Sequence, residues 1–282
     1  MAFTWTEVQP AGANNFAWFS CAINLHGQII IGIENGRLWY FDGSTWVEMQ
    51  PEGAVNKMWR SVSINDSGHI LAAAAYGRLW YFDGSTWAEQ KPAGDSNIAW
   101  TGCSISSNGK MMACGESEPT YYHNGTSWSG AVGSSHKWCS INASGNGICI
   151  GAGASARIYF FNGTFFTETR PVGDFGYTYT NCQINDNGCA IVGGWDSARL
   201  QYWNGSEWSE QQPAGNADEF WRPVAISPNN NIVAGIQNGR LYKGVSITTS
   251  LKKVIGLDQD SVKTINGMAI ASVKAMNGIG NV

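Results

Sequence analysis

The chain has 282 residues, 43% of them hydrophobic and 13% charged, with a formal net charge of −4. That length and apolar content can bury the core of one large domain or two smaller ones. Charge this sparse, without a block of one sign, lacks the basic footprint that DNA or RNA requires, and no apolar run approaches the ~18 residues of a membrane span, so neither nucleic-acid binding nor membrane insertion is expected.

The N-terminus, MAFTWTEVQP, has neither the basic start nor the apolar stretch of a secretion signal. Glycine at 35 positions and tryptophan at 14, with few helical patterns, predict an all-β chain of short strands and tight turns. Residues 3–12, FTWTEVQPAG, read as a strand with a trailing linker. After them a phrase, GRLWYFDGSTW, stands at residues 36–46 and returns unchanged at 77–87. Trp5, Trp46, Trp87 and Trp128 are spaced by 41 residues, and Phe166 and Trp208 follow after 38 and 42. Six units fill residues 3–243. A period of this length with aromatic signatures and turn glycines indicates a six-bladed β-propeller with four strands per blade.

Turn chemistry orders the strands inside a unit. LWYF and TWVE flank Asp42-Gly43-Ser44, a short Asp-Gly connection that predicts a tight hairpin. Upstream, WRSVSIN and HILAAAA flank Asp66-Ser67-Gly68 and form a second hairpin. The linkers QPEGAVNKMW and KPAGDSNIAW are longer and carry Pro and Gly, which suits passage from the outer edge of one blade to the inside of the next. The last unit, WRPVAIS, NIVAGI and RLYKG, then lacks an outer strand. Residues 3–12 are expected to supply it beside residues 239–243 and so close the ring.

Cys21, Cys103, Cys139 and Cys182 share one repeat position with Val62 and Val224, which marks a small buried apolar site in preference to a disulfide framework or a metal centre. His26, His69, His123 and His136 fall in turns or strand ends without ligand spacing and are expected at the surface. The sequons at Asn65, Asn124, Asn142, Asn162 and Asn204 coincide with the hairpin turns and read as turns. No nucleophile, base and oxyanion donor stand out together, so no catalytic residue, metal ligand or cofactor is predicted. A sialidase-like use of Arg60 and Arg222, beside the inner-strand aromatics, is the remaining enzymatic alternative.

One end of the ring carries short turns and the other carries the linkers. At the linker end Trp18, Trp59, Trp100, Tyr179 and Trp221 begin inner strands, and Arg37, Arg78, Arg157, Arg199 and Arg240 begin third strands. Aromatic faces stack on sugars and arginines hydrogen-bond hydroxyls or carboxylates, so these ten residues are the candidate ligand site. The alternative is that each aromatic packs between blades and each arginine fastens a loop.

The unit SVSINDSGHILAAAAYGRLWYFDGSTW resembles the repeat of tectonin-type propellers, the six-bladed lectin group that includes some tachylectins, over residues 3–243. The resemblance implies multivalent recognition of surface glycans through the inner-strand aromatics. The fourth blade departs from the pattern, with a short linker, SGAVGSSH, and Phe166 in place of the outer Trp.

After residue 243 the cadence stops. Residues 244–282 carry their own repeat, SVKTINGM and SVKAMNGI, with Asn-Gly turns at 266–267 and 277–278 that predict short strands. This tail resembles segments at the ends of bacteriophage virion proteins, which implies a virion location and an anchoring or assembly role, and its apolar residues and Asn-Gly turns are expected to let its strands add to a partner sheet or pair with the tails of sister chains as a homo-oligomer. The expected function is non-enzymatic adhesion to a surface glycan. A virion decoration protein is the first alternative and a glycan hydrolase the second.

Overall fold

A computed structural model describes residues 10–12, 17–115, 117–151, 157–171, 178–195, 199–213, 220–236, 241–244, 264–265 and 268–269. All regular elements among them are strands. The first sheet runs β1 (Trp18–Ile23), β2 (Ile29–Ile33), β3 (Leu38–Phe41) and β4 (Trp46–Met49), and the second β5 (Trp59–Ile64), β6 (Ile70–Ala74), β7 (Leu79–Phe82) and β8 (Trp87–Gln90). A seven-stranded sheet follows, β9 (Trp100–Ile105), β10 (Met111–Gly115), β11 (Glu118–His123), β12 (Trp128–Ile141), β13 (Gly147–Gly151), β14 (Ile158–Phe161) and β15 (Phe166–Thr169). Then come β16 (Thr178–Ile184), β17 (Ala190–Trp195), β18 (Leu200–Trp203) and β19 (Trp208–Gln211) in one sheet, and β20 (Trp221–Ile226), β21 (Ile232–Ile236) and β22 (Leu241–Gly244) in another. Neighbours in each sheet are consecutive and antiparallel.

The predicted hairpins are present in register. Leu38 faces Met49 and Phe41 faces Trp46, with the same pairing at Leu79–Gln90 and Phe82–Trp87. In the connecting turn Asp42 Oδ1 accepts the amide N–H groups of Ser44 (2.7 Å) and Thr45 (2.8 Å), and Gly43 takes φ 106°. Those bonds, the one from Thr45 foremost, pull the Asp42 carboxyl down to about 2. Asn124, Asn162 and Asn204 use their amide oxygens in the same way. Asn65 and Asn142 are buried instead. Their amide nitrogens donate to Ser106 O (3.1 Å) and Asn185 O (3.1 Å) one repeat ahead, so these sequons tie successive repeats together.

The expected linker between the third and fourth repeats is absent. β12 runs unbroken for 14 residues. Its front half pairs with β11 and its rear half, His136–Ile141, pairs with β13. SGAVGSSH has no proline to remove a ladder N–H, so extended backbone passes directly from one repeat to the next.

Five apolar clusters lie between successive repeats. Ile30 and Leu38 meet Trp59, Val62 and Ile64 at the first seam, and Ile148 and Ile158 meet Tyr179, Cys182 and Ile184 at the fourth. Burying each such large side chain contributes roughly 1.5–3 kcal/mol. Cys103 and Cys182 are buried members of these seams, and burial pushes the Cys103 thiol up to about 12. The two ends of the stack are uncovered among the described residues. Trp18 is 45% and Ile23 66% exposed, whereas their counterparts Trp59 and Ile64 are buried at 2% and 8%. At the other end Val233 is 38% exposed, although Ile30, Leu71, Met112, Ile148 and Ile191 at the same repeat position are fully buried. Residues 1–9, the expected closing strand, lie outside the described residues.

The chain divides into two compact units, residues 1–244 and 245–282. In the second, β23 (Thr264–Ile265) and β24 (Met268–Ala269) pair antiparallel on either side of residues 266–267. The other tail turn expected, at 277–278, lies outside the described residues.

Candidate functional site

The linker-end residues do not gather into an open site. Trp59, Trp100, Tyr179 and Trp221 are buried at 2% exposure or less, each within a seam cluster. The ladder register shifts just after this aromatic, between Trp59 and Ser61 and between Tyr179 and Asn181, and the aromatic packs into the seam with the preceding repeat. Faces packed this way have no surface left on which to stack a sugar. Trp18 alone of the five is exposed.

The arginines hold the outer strands. Each described one pairs with a glutamate eleven residues ahead: Arg37 with Glu48 (3.6 Å), Arg78 with Glu89 (3.1 Å), Arg157 with Glu168 (2.8 Å) and Arg199 with Glu210 (3.0 Å). Arg78 Nη1 also donates to Asp95 O at 2.6 Å, which fastens the following linker. Arg240 lies outside the described residues, as does the Arg222 side chain. Arg60 stands over the Phe19 ring at 5.3 Å. The crevice between Arg78 and Trp100 holds about 170 Å³ and is too narrow for a water molecule. One aromatic that the sequence pattern did not single out does face solvent at this end. Tyr76 is 75% exposed and takes φ 53°, where the first repeat has Asn35 at the same angle. A bulky residue held in the left-handed region is strained, and such strain collects at working surfaces.

The histidines depart from the expected surface placement. His136 is fully buried, with Nδ1 2.6 Å from Thr120 Oγ1 and its ring against Tyr159 and Phe166. Burial lowers its pKa to about 4. It occupies the position of Trp59, a core aromatic site, and this is why it is inside.

His69 and His123 line a cleft of about 560 Å³ at the short-turn end, between the second and third repeats, with Tyr81, Gln90 and Asn108. This volume falls in the range of small-ligand sites. His69 Nδ1 lies 3.0 Å from Tyr81 Oη, and Gly125 N–H donates to His123 Nδ1 at 3.2 Å. A neutral imidazole that accepts at Nδ1 carries its proton on Nε2, and the hydrogen bond between His123 and the Gly109 backbone engages it. Desolvation lowers the His123 pKa, which favours that neutral form. Gln90 Oε1 accepts from Trp128 Nε1 at 2.8 Å, while its amide nitrogen makes only a 3.5 Å contact with Ala88 O. The signal in the sequence was a departure from the repeat. His123 stands where Phe41, Phe82 and Phe161 stand elsewhere, and His69 where Gln28 and Lys110 do.

No family model and no curated protein sequence matches the chain. Solved β-propellers do match its fold. YCF48 bound to a D1 peptide aligns with a TM-score of 0.58 at 12% identity, over 81% of this chain and 78% of that one. Virginiamycin B lyase from Staphylococcus aureus aligns at 0.60 and 9%, over 83% and 86%. YCF48 from Cyanidioschyzon merolae aligns at 0.56 and 12%, over 82% and 84%. At these identities the likeness establishes a β-propeller fold.

Proposed function

We propose that the chain is a non-enzymatic recognition propeller of six blades that binds a surface carbohydrate and is carried on a phage particle by residues 244–282. The observation that supports recognition most directly is the cleft at the second seam, ligand-sized and lined by amide, hydroxyl, imidazole and aromatic groups. Hydrolysis of a glycan is disfavoured, because glycosidases generally place a pair of carboxyl groups about the scissile bond and no Asp or Glu is among the residues lining this cleft. Ring closure is favoured by the two uncovered ends, since the β1 face matches what the other inner strands bury and Val233 matches what the other second strands bury. Residues 3–9 then serve as the outer strand beside β22.

A glycan array probed with the full chain tests this reading. Binding to defined surface glycans without turnover is the expected result, and an array blank at micromolar chain overturns it. A second reading, contact with protein, is favoured by the YCF48 propeller that was solved with a peptide bound. It predicts a blank array and capture of extended peptides.

A further inference from the structure

We infer that the second-seam cleft is a site for a neutral sugar ring, built where two substitutions remove the aromatic contact that closes the first, third and fourth seams. This rests on the carbohydrate reading above and names the site and the ligand class. At the first seam Tyr40 packs on Phe82 with ring centroids 6.5 Å apart, at the third Tyr122 packs on Phe161 at 4.9 Å, and at the fourth Phe160 packs on Trp203 at 5.1 Å. The equivalent pair at the second seam is Tyr81 and His123. Here Tyr81 meets His69 edge-on at 5.7 Å, while His123 keeps the contact with its outer-strand partner, Trp128 at 5.3 Å, that Phe82 makes with Trp87.

A second closure is missing at the same place. The residue that ends each first turn can reach over the turn glycine of the next repeat. A Cβ on Gly68 would meet Gln28 Oε1 at 3.2 Å, and one on Gly145 would meet Lys110 Nζ at 3.0 Å and Tyr122 Oη at 2.8 Å. At the second seam that residue is His69, held back by its bond to Tyr81, and a Cβ on Gly109 would meet nothing within 4 Å. Gly188 at the fourth seam is equally clear, but there Phe160 and Trp203 close the gap.

The cleft of about 560 Å³ thus opens between a tyrosine and an imidazole. A pyranose presents apolar C–H faces to such walls and hydroxyls to the Gln90 amide. Asp, Glu, Lys and Arg are all absent from the lining, so a uronic or sialic acid would leave its carboxylate desolvated without a counter-charge. The site therefore takes neutral hexoses or N-acetylhexosamines.

The full-length double variant His69→Gln/His123→Phe refills the cleft with the residues that the first repeat carries at these positions. Methyl glycosides of glucose, galactose, mannose and N-acetylglucosamine, with glucuronic and sialic acids as counter-probes, are titrated at pH 7.5. The wild type is expected to bind at least one neutral glycoside and neither acid, and the variant to keep its melting temperature and lose at least tenfold in affinity. Histidine ring NMR signals of the wild type supply a readout that needs no variant: those of His69 and His123 should shift on titration while those of exposed His26 stay. Wild-type affinity in the folded variant, static His69 and His123 signals, or preference for the acids overturns the site while leaving carbohydrate recognition standing. If the glycan array is blank as well, the recognition reading falls with it.

Discussion

Single hydrogen-bond donors show how far each repeat has been adjusted to its neighbour. Trp128 Nε1 donates to Gln90 Oε1 and Trp208 Nε1 to Thr169 Oγ1, each at 2.8 Å, one repeat back. Trp87 has Met49 at the corresponding position, and its buried Nε1 has no acceptor. An unsatisfied buried donor costs about 1–3 kcal/mol. Met49→Gln should recover roughly 1 kcal/mol and raise the melting temperature by about 2–4 °C. The reverse change, Gln90→Met, should lower it by orphaning Trp128. Differential scanning calorimetry of the pair checks this, and equal melting temperatures for all three chains would reject the arrangement. His136 contributes at the same scale with a defined sign. Its folded pKa, about 4, lies below the ordinary 6.5, so the unfolded chain binds the proton more readily. Stability from keeping it neutral is complete above pH 6.5 and is lost as pH falls from 6.5 toward 4, by roughly 3 kcal/mol in all. Asp42, held at about 2, loses its share only below that window. Urea denaturation across pH 4–7 should show this slope in the wild type and not in His136→Tyr, which installs the residue type of Tyr179. A slope shared by both chains would assign it to other groups.

At the scale of strands and turns, most of the architecture was legible. Asp-Gly turns with alternating apolar residues fix a two-strand register locally, and both hairpins of each repeat follow from them. Two features were hidden for physical reasons. The run SGAVGSSH looks like a linker because glycine and serine are compatible with either loop or strand, and only its ladder partners on both sides make it the middle of β12. The arginines looked like ligand groups because their glutamate partners sit on another strand, where cross-strand geometry and not sequence proximity brings them together. Repetition also concealed the cleft. A pattern sought by its recurrence draws attention away from His69 and His123, the positions that break it. The expected closing strand belongs to this scale. β22 has β21 on one side, and among the described residues nothing pairs with its other edge. If residues 3–9 cover that edge and Trp5 enters the last seam, Trp5→Ala should cost about 3–5 kcal/mol, like other large-to-small core changes. An unchanged melting temperature for Trp5→Ala would reject closure by residues 3–9.

For the whole molecule, the chain divides at residue 244 into two compact units. The repeats of the first unit bury their apolar faces against one another. Residues 245–282 cannot easily bury a core of their own, since a unit this short leaves most of its surface wet. Their sequence nevertheless repeats SVKTINGM and SVKAMNGI eleven residues apart, and β23 and β24 already pair as a short hairpin. The strands of this tail are expected to add to a partner sheet or to pair with the tails of sister chains. Several copies gathered in this way would also raise the avidity of a weak sugar site without any new contact to the sugar. A chain ending at Gly244 should therefore stay folded, run as a monomer by light scattering and bind glycan weakly. The full chain should run as an oligomer and bind the same glycan surface at least tenfold more tightly. Equal masses for the two, or equal retention on the surface, would mean that the tail does not assemble the molecule.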